Sequence, residues 1–412
     1  MQSRSVSSPA DPQHTGRWLL LAGASIVLIL YGSLFPFRIR TDIDGGFFEL
    51  IKTLEFKPTT RGDIIANLLL YLPLGLCLMF AWSGRARWPA LARAMLIGTA
   101  LAVAVELTQM YLRGRVSSLT DVALNMVSTL AGACGAIAYG ALGTSVRLPF
   151  MASRPPDPAA LSVVVLWLAF RLAPFVPTID WQKYKDALKP LLIDPQIGGA
   201  ELLRYVTGWL VAGYAVRLLT RREYTLAATL AIVGIVLLGR IVVVGKTLSL
   251  AELAALGISL PLAAVMIAMR DHWRVVVLAA LLTAAIIAQG IAPFDLLSQP
   301  HAFSWMPFRS SLRGGLETNY SALLEKAFWY GSLVWLLARG GWSLLASTVG
   351  TASLVAAIEI VQMWLPGRSA DITDVLLVLA AGFLLALPRE HVGAPAAGVA
   401  PAGPRKSAWG SG

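Results

Sequence analysis

Two cysteines and four histidines in 412 residues leave little material for metal or redox chemistry. Cys77 and Cys134 both fall inside apolar stretches, which predicts packing roles rather than a disulfide or a thiolate metal site. His14, His272, His301 and His391 are widely separated, so neither a metal pair of His-x3-His type nor a Ser-His-Asp arrangement assembles. The chain contains no Gly-x4-Gly-Lys-Ser/Thr segment, which argues against an ATP-driven pump. No metal and no cofactor are expected. Charge is scarce too: only 14% of residues are Asp, Glu, Lys or Arg, against 57% hydrophobic. The net charge is +11, yet the basic residues are spread over short connectors without interleaved aromatics, which excludes a nucleic-acid groove.

So much apolar surface exceeds what a water-soluble core absorbs and fits a lipid bilayer. Apolar stretches of about 18 residues or more fall near 18–35, 63–82, 91–112, 119–142, 159–175, 199–219, 224–244, 249–269, 273–292, 319–338, 342–364 and 372–387. The expected fold is all-α, a polytopic membrane bundle of about twelve transmembrane helices. The first stretch follows Arg4 and Arg17 as a signal peptide would, but runs into Gly32-Ser33-Leu34-Phe35-Pro36 without a small-x-small cleavage site, so it reads as retained. Lys and Arg divide almost evenly between the two sets of connectors. Density separates them, because Arg85, Arg87 and Arg93, Arg217, Arg221 and Arg222, and Arg270 and Arg274 crowd short even-numbered connectors. This places a multi-pass protein in the cell membrane with both termini in the cytoplasm. Residues 1–16 and 389–412, rich in Pro, Gly, Ala and Ser, read as disordered.

Self-comparison is the most informative operation. A shift of 253 superposes Glu106 on Glu359, Gln109 on Gln362, Arg115 on Arg368 and Asp121 on Asp374, and gives ten identities in the twenty positions from 105 to 124. The shared pattern is Glu-x2-Gln-x5-Arg-x5-Asp. Upstream of it, Phe35-Pro36-Phe37 and Ala292-Pro293-Phe294 end an apolar helix, and Ala173-Pro174-Phe175 repeats that turn midway. Three four-helix units follow: 17–142, a degenerate unit at 159–269, and 273–388. In the middle one Lys246 and Glu252 keep the spacing of Arg115 and Asp121, and Arg240 stands roughly where a Glu is expected. Stretches 47–56, 181–192 and 303–312, between the first and second helices of each unit, are too short to span and read as interfacial helices.

Ionisable groups in membrane helices are costly, so those retained mark partners, water or function. Glu106 and Gln109 share a helix face near the end of the third span; Arg115 lies in the connector; Asp121 and Asn125, one turn apart, open the fourth. Asp63 and Asn67 open the second. Folding the hairpin brings Arg115 toward both carboxylates and gathers the set at the outer surface, with Glu359, Gln362, Arg368 and Asp374 as its copy. The same residues also read as structure: Asp121 as a first-turn acid, Arg115 as a lock on the hairpin. In the last unit Val378 replaces Asn125, and Glu325-Lys326 reads as an interfacial pair.

The run Asp63-Ile64-Ile65-Ala66-Asn67, then Tyr71-Leu72-Pro73-Leu74-Gly75, Glu106-Leu107-Thr108-Gln109, Arg115 and Asp121-Val122-Ala123-Leu124-Asn125 resembles the VanZ-like family, well over 28–140 and, in its second half only, over 285–388. The family takes its name from a membrane protein that lowers susceptibility to teicoplanin. The resemblance implies a membrane protein of the cell envelope, not a particular reaction. The polar cluster then reads as a site for a lipid, a lipid-linked envelope precursor or a membrane protein partner. The alternatives are a secondary transporter, or a membrane enzyme acting on a lipid-linked substrate.

Overall fold

The computed structural model describes residues 12–41, 52, 54–58, 61–82, 86–145, 150–152, 157–193, 195–309 and 316–387. Among these the chain forms thirteen helices and no strand: α1 Pro12–Leu34, α2 Arg61–Ala81, α3 Arg87–Gln109, α4 Leu119–Ser145, α5 Pro158–Leu172, α6 Trp181–Leu192, α7 Gly199–Leu219, α8 Thr225–Val242, α9 Leu250–Ala268, α10 Asp271–Ile291, α11 Leu316–Arg339, α12 Leu344–Gln362 and α13 Thr373–Ala386. Pro12 opens α1, where its missing N–H costs nothing. Residues 12–16, expected to be disordered, are therefore helical, whereas 1–11 and 389–412 lie outside the described residues.

Among the described residues seven helices, α1, α3, α4, α8, α9, α10 and α12, are long and apolar enough to cross a membrane. Helices α7 and α11 are as long but carry Glu201, Arg204 and Arg217, and Glu325, Lys326 and Arg339. Packing explains why charge is tolerated there: α7 buries its whole run from Tyr205 to Ala212, and α11 buries Phe328 to Tyr330 and Ser332 to Leu336. A helix surrounded by protein need not be apolar on a lipid face.

Apolar contacts form two main cores. One joins Ala22 and Ile29 of α1, Tyr71, Leu74 and Cys77 of α2, and Ala102 and Val105 of α3. The other runs without a break from α5 through α7, α10 and α11, with Trp167, Trp209, Leu278, Leu282, Phe328 and Leu336 in its interior. Helices α2 and α4 meet backbone to backbone, since a Cβ on Gly75 would lie 2.0 Å from the Thr129 carbonyl oxygen and one on Gly132 would lie 2.0 Å from that of Leu72. Small residues allow this approach where no hydrophobic effect drives helices together.

Three apolar helices, α1, α5 and α10, end in the same turn. Each carries a cis peptide before Pro36, Pro174 or Pro293, and the next residue, Phe37, Phe175 or Phe294, has φ of 60°, 59° or 70°. The Phe N–H donates to the carbonyl three residues back at 2.9, 2.8 and 3.0 Å. Beyond the first two turns the chain pairs briefly with the hairpin that follows, Ile39 with Leu112 and Pro177 with Val243. After the third, Ser304 pairs with Asp371 in parallel instead.

Helix α6 lies between the first and second helices of the middle segment. Asp180 caps it, accepting from the Gln182 N–H at 2.9 Å, and Trp181 and Leu192 remain exposed while Ala187 is buried. The described part of 303–312 is not a helix through Pro307, because Ser304 is held extended by bonds to Ala370 and Ile372. Only residues 52 and 54–56 of the first such stretch fall within the described residues.

Contacts between segments align their ends. The Tyr31 hydroxyl donates to the Pro307 carbonyl at 2.7 Å, and at the other end of α1 Arg17 reaches the Leu387 carbonyl. Arg204 pairs with Glu325 at 3.1 Å near one face, and Arg339 approaches Asp157 and Asp271 near the other.

Candidate functional site

The hairpin from α3 to α4 needs a sharp reversal, and Gly114 supplies it at φ 79°, a left-handed conformation that a side chain disfavours. Gly245 and Gly367 take the same conformation, at 72° and 71°. Each is followed by a cation: Arg115, Lys246 or Arg368.

These cations clasp the end of the preceding apolar helix. Arg115 donates from Nε to the Phe35 carbonyl and from Nη2 to the Gly32 carbonyl, both at 2.8 Å. Arg368 does the same to Ala292 and Gln289, at 2.9 and 2.7 Å. Lys246, without the guanidinium fork, reaches one carbonyl of that helix, Phe170, at 3.4 Å, and also donates to the Ser321 hydroxyl at 3.4 Å. The amide that precedes the turn adds to the clasp, Gln109 donating to Ser33 at 2.8 Å and Gln362 to Gly290 at 3.0 Å.

Glu106 is 3% exposed, and its Oε2 accepts from the Ser118 N–H at 2.9 Å. Glu359 accepts in the same way from the Asp371 N–H at 2.8 Å. Asp371 in turn holds the Thr373 N–H, as Ser118 holds that of Thr120, so an acid performs the hydroxyl's task there. Arg115, Asp121 and Lys57 all lie within electrostatic reach of Glu106. The sequence led to an expectation of Arg115 close to both carboxylates; its guanidinium ties two backbone carbonyls, a role that spacing could not show.

The surroundings of Asp121 and Asp374, the last residues of the recurrent pattern, differ. In the first, Asn67 donates to Asp121 Oδ1 at 3.1 Å. One turn along each helix, the Tyr71 hydroxyl and Asn125 Oδ1 are buried and, among the described residues, have no hydrogen-bond partner. Tyr71 also lies within reach of the charge on Glu106. In the last, Lys326 binds Asp374 Oδ1 and the Tyr330 hydroxyl binds Oδ2, both at 2.6 Å, and Val378 fills the place of Asn125. The last set is therefore closed upon itself, and the first leaves an acceptor and a hydroxyl facing inward. Asp63 opens α2 as expected, but its side chain lies outside the described residues.

Glu325 and Lys326 do not pair with each other. Adjacent helix positions face different sides. Lys326 turns to Asp374, whereas Glu325 turns to Arg204 and the Trp329 indole. Tyr71, quoted above only as part of the family-like run, and Tyr330 were not among the expected site residues; their signal was a shared position, one turn after Asn67 and Lys326 respectively.

Residues 13–140 match the protein-family model described as VanZ/LLP1. No curated protein and no solved structure matches the chain.

Proposed function

The segment 13–140 is a VanZ-like unit, and from that premise we propose that this multi-pass membrane protein acts in the cell envelope, where the polar set of that unit binds the headgroup of a lipid or of a lipid-linked envelope precursor. The observation that carries the reading is the pair of unpartnered atoms, Tyr71 Oη and Asn125 Oδ1, beside the Asn67–Asp121 bond. Buried polar groups without partners are costly, about 1–3 kcal/mol each, so a site that keeps two is fitted to a ligand that supplies them. The neighbouring acids Asp121 and Glu106 favour hydroxyl or amine groups as the donors.

Part of this reading is an arrangement of three like-oriented units, 17–142, 159–269 and 273–388, with twelve spans and both termini in the cytoplasm. The recurrent proline turns and clasps support the units, and the Tyr31–Pro307 and Arg17–Leu387 contacts support a common direction for the first and last. On that topology the cluster faces outward.

Asn125→Val, which installs the residue of the last unit, tests the site with little change of volume. Native mass spectrometry of the detergent-extracted protein reads the lipids retained. The reading requires that one class of lipid present on the wild-type protein be lost from Asn125→Val while yield and melting temperature stay within error. Identical retained lipid in both proteins would make the cluster a packing device.

A further inference from the structure

The middle unit departs from the others in a coherent way. Where the first unit has Ser33 and Asn67, the middle one has Arg171 and Arg204; aligned on Gly114 and Gly245, Arg240 takes the place of Gln109 rather than of the Glu first expected there, and Lys246 stands in place of Arg115. All four cations line one cavity of about 80 Å³, together with Tyr205, Trp209 and Glu325. At about 10–15 Å³ per water, that volume holds roughly six waters, or a small oxyanion with a few of them.

Charge in this cavity is not balanced. Glu252, wholly buried, pairs with Arg171 and Arg240, and Glu325 pairs with Arg204. Two carboxylates thus answer four cations. Glu201, the other acid nearby, is engaged by Ser249 and is not part of the lining. Arg171 is 4% exposed, yet among the described residues its Nε has no hydrogen-bond partner; neither have Arg240 Nε and Trp209 Nε1. Lys246, in the connector outside the helices, is pushed down to about 8 by burial and then by Arg240 and Arg171, as expected of an amine facing uncompensated positive charge.

We propose that this cavity binds a phosphate monoester or inorganic phosphate, held by Arg171, Arg240 and Lys246 against the Trp209 indole N–H. The excess of two positive charges matches a phosphate monoester, which carries about −1.5 to −2 at neutral pH, better than a carboxylate or a phosphodiester. Guanidinium forks suit its tetrahedral oxygens. The site is separate from the first-unit cluster and shares no residue with it, so either stands or falls alone.

The test uses the full-length protein in phosphatidylcholine nanodiscs, titrated calorimetrically with inorganic phosphate against acetate and chloride at equal ionic strength. Saturable binding of phosphate alone is expected, weakened about tenfold in Lys246→Met, the loss of one charge-assisted bond. Lys246 sits at the rim in a connector, so this variant is expected to fold. If free phosphate does not bind but the protein retains phosphatidic acid over phosphatidylglycerol from mixed nanodiscs, and Lys246→Met loses that preference, the phosphate is a lipid headgroup. No phosphate response together with no such preference, or equal responses in wild type and Lys246→Met, would overturn the site and leave a hydrated polar joint.

Discussion

Replacing Gly132 by alanine adds one methyl group where α4 crosses α2. Its carbon would stand 2.0 Å from the Leu72 carbonyl oxygen, 2.9 Å from the Leu76 nitrogen and 3.0 Å from the Leu72 carbonyl carbon. Close carbon–oxygen contacts settle near 3.3–3.6 Å, so the two helices must part by more than about 1 Å. Leu72 O is backbone inside α2 and cannot swing aside as a side chain would. Gly75, on α2, makes the reciprocal approach to Thr129 on α4, so the separation is felt at both contacts. A gap of roughly 0.5–1 Å forfeits a quarter to a half of each dispersion contact, and overpacking of this kind typically costs about 1–3 kcal/mol. Because the obstacle is backbone, the upper end, about 3 kcal/mol, is expected, a change of about a hundredfold in the folded ratio. Gly135, one turn along the same helix, is the internal control: a Cβ there meets nothing within 4 Å. Alanine at 135 should stabilise the helix by up to about 1 kcal/mol through propensity alone. Unfolding by sodium dodecyl sulfate in mixed micelles, followed by circular dichroism, compares the two. Equal midpoints for Gly132→Ala and Gly135→Ala would refute the close crossing.

Arg115→Ala and Arg368→Ala each release two carbonyls at a proline turn, and should lower membrane abundance and melting temperature; at about 1.5–3 kcal/mol per charge-assisted bond the loss is several kcal/mol, with Arg115→Lys retaining part of it. Lys326→Met leaves the buried Asp374 with its Tyr330 bond but no cation, and should destabilise by less than the roughly 3–5 kcal/mol of a wholly buried pair, since the Lys326 side chain is 43% exposed; Lys326→Met with Asp374→Asn should restore most of the loss, and an unaltered unfolding midpoint in the single variant would contradict the pair. The Lys246 amine, facing Arg171, Arg240 and Glu325, lies near 8 in the folded protein against its ordinary 10.5. Between those values the unfolded chain binds the extra proton, so phosphate-free stability should rise with pH across that window, and Lys246→Met should flatten the rise. Single cysteines at Val116 and Ser369, both exposed, in a background without Cys77 and Cys134 report topology by labelling whole cells with an impermeant thiol reagent; labelling is expected at both, and protection at both would invert the proposed orientation.

The helical class, the long apolar helices and the recurrence of Glu106, Gln109, Arg115 and Asp121 at Glu359, Gln362, Arg368 and Asp374 were legible in the sequence, because hydropathy and spacing are local properties. Periodicity also shows that Asp121 and Asn125 share a face, and that Glu325 and Lys326 do not. It does not show which faces meet. That Arg115 reaches back across 80 residues to the Phe35 carbonyl, that Lys326 closes on Asp374 while Asn67 leaves Tyr71 and Asn125 unpartnered, and that the arginines of the middle unit converge on one cavity were decided by packing. The physical reason is reach. A side chain chooses partners within a few ångströms, and which groups arrive there depends on how helices cross, which is set by the glycines and bulky residues along each interface rather than by the polar residues themselves.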